Sequence, residues 1–351
     1  MGMTAARLRI GLIGAGAIGS WHARIVSERP DAELVAICDT DTGRAGALAG
    51  RHGGRVFADA AAFFAEAELD GVIIASPERV HAEQAVLAAA AGVPMLVEKP
   101  VAPDVAGIAA IRIAAASAGV PVMVGHVERF EVGSAQLKAA VAEGICGRVV
   151  TIAARRQFVA ADTPRFRGLS TTLRILAVHD FDLVAWVHPV PVVEVYAAAG
   201  RGRVFDETGL DDHVVTTLRF TDGAVALVES GWTLPAPYGV FASPAGWSPA
   251  GNNRLDVFGS AGMVSNDMSL RNQQLIAFDA DAGYRAAGIR HQPVLNGRVV
   301  GALAEEVAAF LRLVRDGGQP LVGLDDAERA VGLVVAAEAS LASGLPVRPD
   351  R

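Results

Sequence analysis

Residues 8–29 read LRIGLIGAGAIGSWHARIVSER, and this stretch decides the fold class. Its first part is a short apolar run that ends in glycine, as in a β-strand, and its second part has helical spacing up to Pro30. The turn between them carries the pattern G-x-G-x-x-G at residues 14–19. By itself this pattern is weak evidence, because tight turns are often rich in glycine.

The same alternation of strand and helix continues to about residue 125. Apolar runs of strand length lie at residues 33–39, 55–57, 71–76, 94–100 and 121–126. Segments with helical spacing separate them, at residues 42–53, 60–69, 80–92 and 104–119. Continuously apolar strands separated by helices indicate a parallel sheet covered on both faces. We therefore predict a doubly wound α/β domain, a Rossmann fold, over residues 1–125.

An acidic residue at the end of the second strand strengthens the glycine pattern. Asp39 lies twenty residues after Gly19, where dinucleotide-binding folds place the carboxylate that binds the ribose hydroxyls. Gly14 would permit the tight turn, Gly16 would let a pyrophosphate approach the helix N-terminus, and Gly19 would allow helix and strand to pack closely. A 2′-phosphate would meet like charge at Asp39, so NAD is favoured over NADP. Arg44 leaves NADP open, because it could hold a phosphate.

Composition and charge restrict the classes of partner. At 351 residues the chain is long enough for two domains. The formal net charge of -7, without a basic run, argues against a nucleic-acid or acidic-membrane partner. No apolar run reaches membrane-spanning length, and the glycine-rich N-terminal stretch is interpreted as folded protein, which predicts a cytoplasmic location. Cys38 and Cys146 lack the spacing of a metal site, so we expect buried thiols and predict no metal.

The second half of the chain changes class near residue 126. Strand-like segments occur there without regular intervening helices, at residues 148–158, 192–200, 211–232 and 253–265. The sequence FTDG at residues 220–223 is a hairpin turn signal. These features predict an α+β domain over residues 126–351. A helix-like segment from about residue 324 could pack on either domain.

Lysine is nearly absent from the sequence. Of the 31 lysine and arginine residues only Lys99 and Lys138 are lysines, and Lys99 lies between Glu98 and Pro100 in the stretch MLVEKPV. The two basic side chains are not interchangeable where a proton must move. Lys99 is therefore the first candidate for a catalytic residue.

Several motifs together resemble those of the Gfo/Idh/MocA family, which includes glucose-fructose oxidoreductase and the inositol dehydrogenases. They are SPERVHAEQA at 76–85, EKP at 98–100, GHVERF at 125–130, HDFDLVAWV at 179–187, DVFGSAGMVS at 256–265 and the segment 325–347. EKP after the fifth strand, together with the later His-Asp-x-Asp, is far more specific than the glycine pattern. The resemblance covers nearly the whole chain. It implies a second domain with a large, mostly antiparallel open sheet, whose open face forms the interface of a homodimer or homotetramer.

The resemblance also implies the chemistry. It places Lys99 in the catalytic cleft beside the nicotinamide, where its ammonium group would hold the developing alkoxide and relay a proton. His179 would transfer the proton, because imidazole titrates near neutrality; the alternative is a helix histidine without a catalytic role. Asp180 and Asp182 are interpreted chiefly as helix N-terminal acids, with Asp182 placed to orient His179.

Two sets of residues complete the predicted site. The cofactor-binding residues are Gly14, Gly16, Ala17, Ile18, Gly19, Asp39, Ser76, Pro77, His81, Glu98 and Lys99. The substrate-binding residues are His126, Arg129, Arg156, Arg165 and Asp182. The arginines would suit an anionic substrate by bidentate pairing, although each alone is more often a solvated surface charge. For His81 and His126 a structural role is the favoured interpretation.

One position departs from the family pattern. Many members have an aspartate four residues before the histidine, where this chain has Ile175. An apolar side chain there cannot share a proton or orient an imidazole. An alcohol dehydrogenase mechanism that uses this aspartate together with the histidine would therefore be incomplete.

The leading hypothesis is an enzyme, an NAD-dependent dehydrogenase that acts on a secondary hydroxyl of a sugar, cyclitol or sugar derivative. A keto- or imine-reductase is an alternative in which the missing aspartate matters less, because the proton is then donated. A non-catalytic NAD-binding sensor or partner subunit is a third hypothesis, suggested only by Ile175.

Overall fold

The computed structural model describes residues 6–235, 251–267, 277–279, 283–285 and 294–349. The chain divides into two compact units. The first unit comprises Met1–Phe130 and Gln292–Glu328, and the second comprises Glu131–His291 and Arg329–Arg351. Each unit is therefore built from two separate stretches of chain. The single domain boundary predicted at residue 126 stays a prediction.

Residues 8–125 form six strands that alternate with five helices. In chain order they are β1 (Leu8–Ile13), α1 (Ala17–Ser27), β2 (Ala32–Cys38), α2 (Thr42–His52), β3 (Arg55–Phe57), α3 (Ala60–Glu66), β4 (Gly71–Ile74), a 3-10 helix (Glu78–Val80), α4 (His81–Ala90), β5 (Met95–Glu98), α5 (Val105–Ala118) and β6 (Val122–Gly125).

Longer strands and further helices follow in the rest of the described chain. They are a 3-10 helix (Val127–Phe130), α6 (Val132–Ala142), β7 (Val149–Val159), a 3-10 helix (Ala160–Phe166), a π-helix (Leu173–Ala177), α7 (Val178–Val187), β8 (Val192–Gly200), α8 (Arg203–Thr208), β9 (His213–Phe220), β10 (Val225–Leu234), β11 (Asn252–Gly259), β12 (Met263–Asp267), β13 (Ala277–Asp279), β14 (Gly283–Arg285), β15 (Val294–Leu295), β16 (Arg298–Val299), α9 (Ala302–Asp316) and α10 (Leu324–Ser343).

The first unit contains one six-stranded sheet in the order β3-β2-β1-β4-β5-β6. All of its strand pairs are parallel. Every residue of β4, β5 and β6 is buried, as expected for strands covered by helices on both faces. This order is that of the doubly wound dinucleotide-binding fold, so the predicted Rossmann fold is confirmed.

Aspartate side chains start three of the helices in this unit. Asp41, Asp59 and Asp104 precede α2, α3 and α5, and each accepts the backbone N–H three residues further on, over 2.8 to 3.0 Å. A carboxylate at this position satisfies an N–H group that the helix itself leaves unpaired. The helix starts therefore follow from local sequence.

Helix α9, which the sequence patterns did not predict, packs on this sheet. Phe310 and Val314 lie over Gly71 at the start of β4, where an added Cβ atom would come within 3.1 and 2.9 Å of them. Further along the chain, the carbonyl of Val322 accepts the N–H of Val124 in β6 over 3.0 Å. The stretch Gln292–Glu328 thus completes the first unit.

The second unit contains a six-stranded sheet in the order β12-β11-β7-β10-β9-β8. β7 and β10 pair in parallel, and the other four pairs are antiparallel. The predicted mostly antiparallel sheet is therefore confirmed, as is the hairpin at FTDG, which joins β9 to β10. One face of the sheet carries the core, formed with Phe181 and Val184 of α7 and with Val334 and Ala337 of α10.

Cys38 and Cys146 are both buried and free, as predicted. In the described part of the chain, no helix combines the length and the apolar character needed to cross a membrane.

Candidate active site

The turn between β1 and α1 has a shape that only glycine allows at two of its positions. Gly14 has φ of +98°, and its N–H donates to the carbonyl of Cys38 over 2.8 Å. A Cβ atom on Gly19 would lie 1.9 Å from the carbonyl oxygen of Gly14. The first glycine is thus required by backbone conformation and the last by close packing of the helix on the turn.

The middle glycine lies where a ligand could approach. Gly16 precedes the first residue of α1, no side chain among the described residues caps that end, and a Cβ atom on Gly16 would meet nothing within 4 Å. Ala17 is exposed and Ile18 half-buried in the first turn. The backbone N–H groups at the start of an 11-residue helix favour an anion there. The turn therefore fits the pyrophosphate of a dinucleotide.

Asp39 follows β2 at the same edge of the sheet. Its Oδ2 atom accepts the N–H of Ala15 over 2.7 Å, and its Oδ1 atom accepts the N–H of Asp41 over 2.8 Å. Arg44 also donates to Oδ1, through Nη2 over 3.1 Å. The carboxylate is thereby fixed beside the glycine turn, as the ribose interaction requires.

His81 connects the loops that follow β4 and β5. Its Nε2 atom lies 2.7 Å from the carbonyl oxygen of Ser76, and its Nδ1 atom lies 2.9 Å from that of Pro100. Burial lowers the pKa of His81, although both carbonyl contacts act in the opposite direction. Ser76 donates its hydroxyl to Gln84 over 2.6 Å, and Pro77 is exposed. The buried ring of His81 thus holds the EKP loop to the loop after β4.

The EKP motif begins in β5 and leaves the sheet at its carboxyl edge. Glu98 is buried, Lys99 is half-buried, and the Lys99–Pro100 peptide bond is cis. Glu98 accepts the N–H of Lys99 over 3.2 Å through Oε2 and contacts Nε2 of His22 over 2.8 Å through Oε1. Burial would raise the pKa of Glu98, but the hydrogen bond and charge of His22 and the charge of Lys99 lower it on balance.

His126 and Arg129, two predicted substrate residues, also lie in the first unit. Both are buried, immediately after β6. The Nη2 atom of Arg129 lies 3.1 Å from Oδ1 of Asp326. At least part of the Arg129 charge is therefore compensated within the unit.

In the second unit, the His179 side chain is half-buried in the first turn of α7, and Asp182 is buried one turn further on. Asp180 lies in the first turn of α7, in agreement with its interpretation as a helix N-terminal acid. The π-helix Leu173–Ala177 leads directly into α7, so helical backbone precedes both carboxylates.

Arg156 instead supplies the partner of Asp180. Its Nε and Nη2 atoms donate to the two carboxylate oxygens over 2.9 and 3.0 Å, and both side chains are almost fully buried. Such a bidentate pair fixes β7 to α7. These two donors are therefore engaged within the protein, which argues against Arg156 as a substrate ligand.

Arg165 and Ile175 lie on the segment between β7 and α7. Arg165 is exposed, with its guanidinium 4.6 Å from the centre of the Phe166 ring and 3.6 Å from Asp162. Ile175 packs against an apolar cluster that contains Trp232 and Leu176. The position that holds an aspartate in many family members therefore has an apolar surrounding here.

Two buried polar residues near the EKP motif did not emerge from the sequence. His22 lies in α1 and Glu306 in α9, and both are completely buried. His22 carried a weak signal, since it follows Gly19 by three residues in the fingerprint helix. Glu306 carried none, because the pair Glu305–Glu306 has the appearance of a solvated helix surface.

Protein-family models match both parts of the chain. The model described as an oxidoreductase family with an NAD-binding Rossmann fold matches residues 8–126, and the model of the GFO/IDH/MocA C-terminal domain matches residues 134–265. Together with the fold and the glycine turn, these matches define an oxidoreductase with an NAD-binding Rossmann domain, so the predicted cofactor, NAD, is confirmed. The chain belongs to the Gfo/Idh/MocA family, as its motifs predicted.

Similar proteins include several named for inositol oxidation. An inositol 2-dehydrogenase of Acidothermus cellulolyticus is 33% identical over 244 residues, 68% of this chain and 70% of the relative. An inositol 2-dehydrogenase of Rhizobium meliloti is 28% identical over 342 residues, 95% of this chain and 97% of the relative. The crystal structure of a myo-inositol dehydrogenase from Corynebacterium glutamicum has a TM-score of 0.80 at 28% identity, with 98% of this chain and 99% of that chain covered.

Proposed function

We propose that this protein is an NAD-dependent dehydrogenase that oxidises a secondary hydroxyl of a cyclitol or a related sugar. The observation that carries the proposal is the pairing of the glycine turn with Asp39 at one sheet edge, from which the EKP motif also emerges. The names of the similar proteins, inositol 2-dehydrogenases, support a cyclitol as the substrate class.

The proposed chemistry assigns one task to each residue. NAD, when bound, accepts a hydride from the carbon that carries the hydroxyl. Lys99 would hold the oxygen as it gains negative charge, and His179 would take the hydroxyl proton. Asp39 would bind the ribose hydroxyls, and Gly16 would admit the pyrophosphate. His81 would act indirectly, by fixing the backbone around Pro100.

A panel of cyclitols and polyols tests this function. Purified protein with NAD and myo-inositol, scyllo-inositol or sugar substrates should generate NADH absorbance. Lys99→Ala should lower kcat by at least about 100-fold, the usual contribution of a positioned acid–base group. Lys138→Ala, which removes the other lysine of the chain, is the matched control and should retain turnover. Full turnover in Lys99→Ala on any active substrate would contradict the assigned role.

The apolar surroundings of Ile175 support one second candidate, a keto- or imine-reductase. Reduction needs a proton donor rather than a base, so an aspartate beside His179 is less important. The same panel run with NADH and carbonyl compounds distinguishes the two directions. Tight NAD(H) binding without any reaction would instead favour a non-catalytic sensor or partner subunit.

We further propose that the protein is a cytoplasmic homo-oligomer that associates through the open face of the second sheet. Met263 of β12, Phe258 of β11 and Val225 of β10 lie in one row, with Thr151 of β7 between Phe258 and Val225, and the three apolar side chains are exposed. Exposed apolar rows of this kind often mark interfaces between subunits. Sedimentation should give a dimer or tetramer, and Phe258→Glu should shift it towards the monomer; a monomeric wild-type protein at micromolar concentration would contradict this.

A further inference from the structure

A cluster of three buried polar side chains lies behind the EKP motif within the first unit. His22 comes from α1, Glu98 from the end of β5 and Glu306 from α9. One nitrogen or oxygen atom of each lies within 4.8 Å of the corresponding atoms of the other two. His22 and Glu306 are 0% exposed and Glu98 is 7% exposed, so solvent does not screen the cluster.

The hydrogen bonds in the cluster are unevenly distributed. Glu98 contacts Nε2 of His22 over 2.8 Å and accepts the Lys99 N–H over 3.2 Å, so both of its oxygens are engaged. Among the residues that the structure describes, neither oxygen of Glu306 has a hydrogen-bond partner, and the same is true of Nδ1 of His22. A buried ionised carboxylate without a donor is strongly unfavourable.

The charge of the cluster requires compensation by a proton or by a bound cation. Two ionised carboxylates would repel each other here at short range in a medium of low dielectric constant. A tetrahedral cation bound to both His22 and Glu98 would hold their ligand atoms about 3.3 Å apart. The observed 2.8 Å is the length of a direct hydrogen bond. The geometry therefore favours a proton over a metal ion.

We propose that Glu306 is protonated at neutral pH and donates a hydrogen bond within the cluster. In this state Glu306 is a positioning residue, because it keeps Glu98 ionised and bonded to the backbone N–H of Lys99. Burial raises the pKa of Glu306 well above its ordinary value, and the charge of Glu98 raises it further. Besides Glu306, the titratable groups that interact with Glu98 are His22, Lys99 and His81, and His22 and Lys99 lower the pKa of Glu98 on balance. The protonation of Glu306 is independent of the reaction, whereas its effect on turnover rests on the proposed dehydrogenase function.

The pH dependence of stability tests the protonation state. In the unfolded chain Glu306 loses its proton near pH 4.3, whereas the folded protein retains it to a higher pH, so folding becomes less favourable by about tenfold per pH unit in that window. Glu306→Gln removes this penalty. Relative to wild type, its folding equilibrium constant should therefore increase about tenfold per pH unit from about pH 5 upward.

Glu305→Gln is the matched control, since it makes the same change on the exposed side of the same helix. Its pH dependence should follow that of wild type. The same dependence of the folding equilibrium constant on pH in Glu306→Gln and Glu305→Gln would overturn the proposal. If Glu306→Gln does not fold, infrared spectroscopy of wild type at pH 7 should still show the carbonyl band of a buried carboxylic acid; absence of that band would also overturn it.

Turnover tests the positioning role. Glu306→Leu removes the hydrogen-bond donor and should lower kcat about tenfold or more without changing the Kd of NAD. Glu306→Gln retains a donor and should restore most of kcat. Equal kcat in both variants and wild type would overturn the positioning role. Should no substrate react, the stability measurement still decides the protonation state. One equivalent of metal in purified wild type that is absent from Glu306→Gln would show a cation site instead.

Discussion

The Nη2 atom of Arg44 lies 3.1 Å from Oδ1 of Asp39, so the residue that favours NAD is paired with the residue that could hold the phosphate of NADP. Asp39 is nearly buried, whereas about half of the Arg44 side chain is exposed. The carboxylate is therefore held in place, and the guanidinium is held beside it. Cofactor preference would depend on this pair.

Removal of the carboxylate should change the cofactor preference. In Asp39→Ala, a 2′-phosphate no longer meets a negative charge, and Arg44 becomes available to it. We expect the ratio of kcat/KM for NADP over NAD to increase by about tenfold or more, which corresponds to about 1.4 kcal/mol. Glu83→Ala removes an exposed carboxylate from α4 in the same unit and should leave the ratio unchanged. An unaltered ratio in Asp39→Ala would remove Asp39 from its assigned role.

A methyl group at Gly16 should weaken cofactor binding without harm to the fold. Gly16 has φ of -72°, which alanine adopts readily, and its Cβ would meet no protein atom within 4 Å. The methyl group would instead occupy the space assigned to the pyrophosphate. Calorimetric titration of Gly16→Ala with NAD should show a Kd raised at least about tenfold, at an unchanged Tm. Gly50→Ala, at an open position in α2, should leave the Kd of NAD unchanged.

The pair of Arg156 and Asp180 should contribute strongly to stability. Arg156→Met removes the bidentate ion pair of the buried Asp180 carboxylate, and loss of one member of a buried pair typically costs about 3–5 kcal/mol. The double variant with Asp180→Leu should recover part of this loss. Arg155→Met breaks the neighbouring, partly exposed pair with Glu229 and should cost about 1 kcal/mol or less. Urea unfolding measures the free energy of unfolding of all three variants. Equal losses in Arg156→Met and Arg155→Met would contradict the distinction between the buried pair and the partly exposed pair.

The two thiols should be unreactive in the folded protein. Burial, together with the charges of Asp59 and Asp39, raises the pKa of Cys38 to about 11, and burial raises the pKa of Cys146. The thiolate is the reactive form, so little of it exists at pH 8. A colorimetric thiol reagent should label neither cysteine before unfolding and both after it. Rapid labelling of the native protein would contradict the burial of these side chains.

Local sequence patterns were sufficient to predict the strands of the first sheet and the hairpin of the second sheet. The strands β4, β5 and β6, which lie within the apolar runs 71–76, 94–100 and 121–126, are buried on both faces, and FTDG turns the chain between β9 and β10. Each of these features depends on residues close together in sequence. The glycine turn could be predicted for the same reason, whereas Asp39, which is 24 residues from Ala15, could be predicted from its fixed spacing in the dinucleotide-binding fingerprint.

Contacts between distant residues could not be predicted in this way. Arg156 was assigned to the substrate, but it pairs with Asp180, which is 24 residues away. Glu306 follows another glutamate, Glu305, which is exposed, and only the packing of α9 on the first sheet explains why the Glu306 side chain is buried. Neither the Arg156–Asp180 pair nor the burial of Glu306 has a signal in the neighbouring sequence, because each depends on which elements the fold brings together.

The order of residues in the first unit has a consequence during synthesis. α9 and the carbonyl of Val322 belong to this unit, and they leave the ribosome long after β1 to β6. In a nascent chain that ends after β6, Gly71 is therefore not covered by Phe310 and Val314. His22 and Glu98 are then present without Glu306. We expect a truncated protein of residues 1–130 to be aggregation-prone, and native NAD binding to arise only after α9 has been translated.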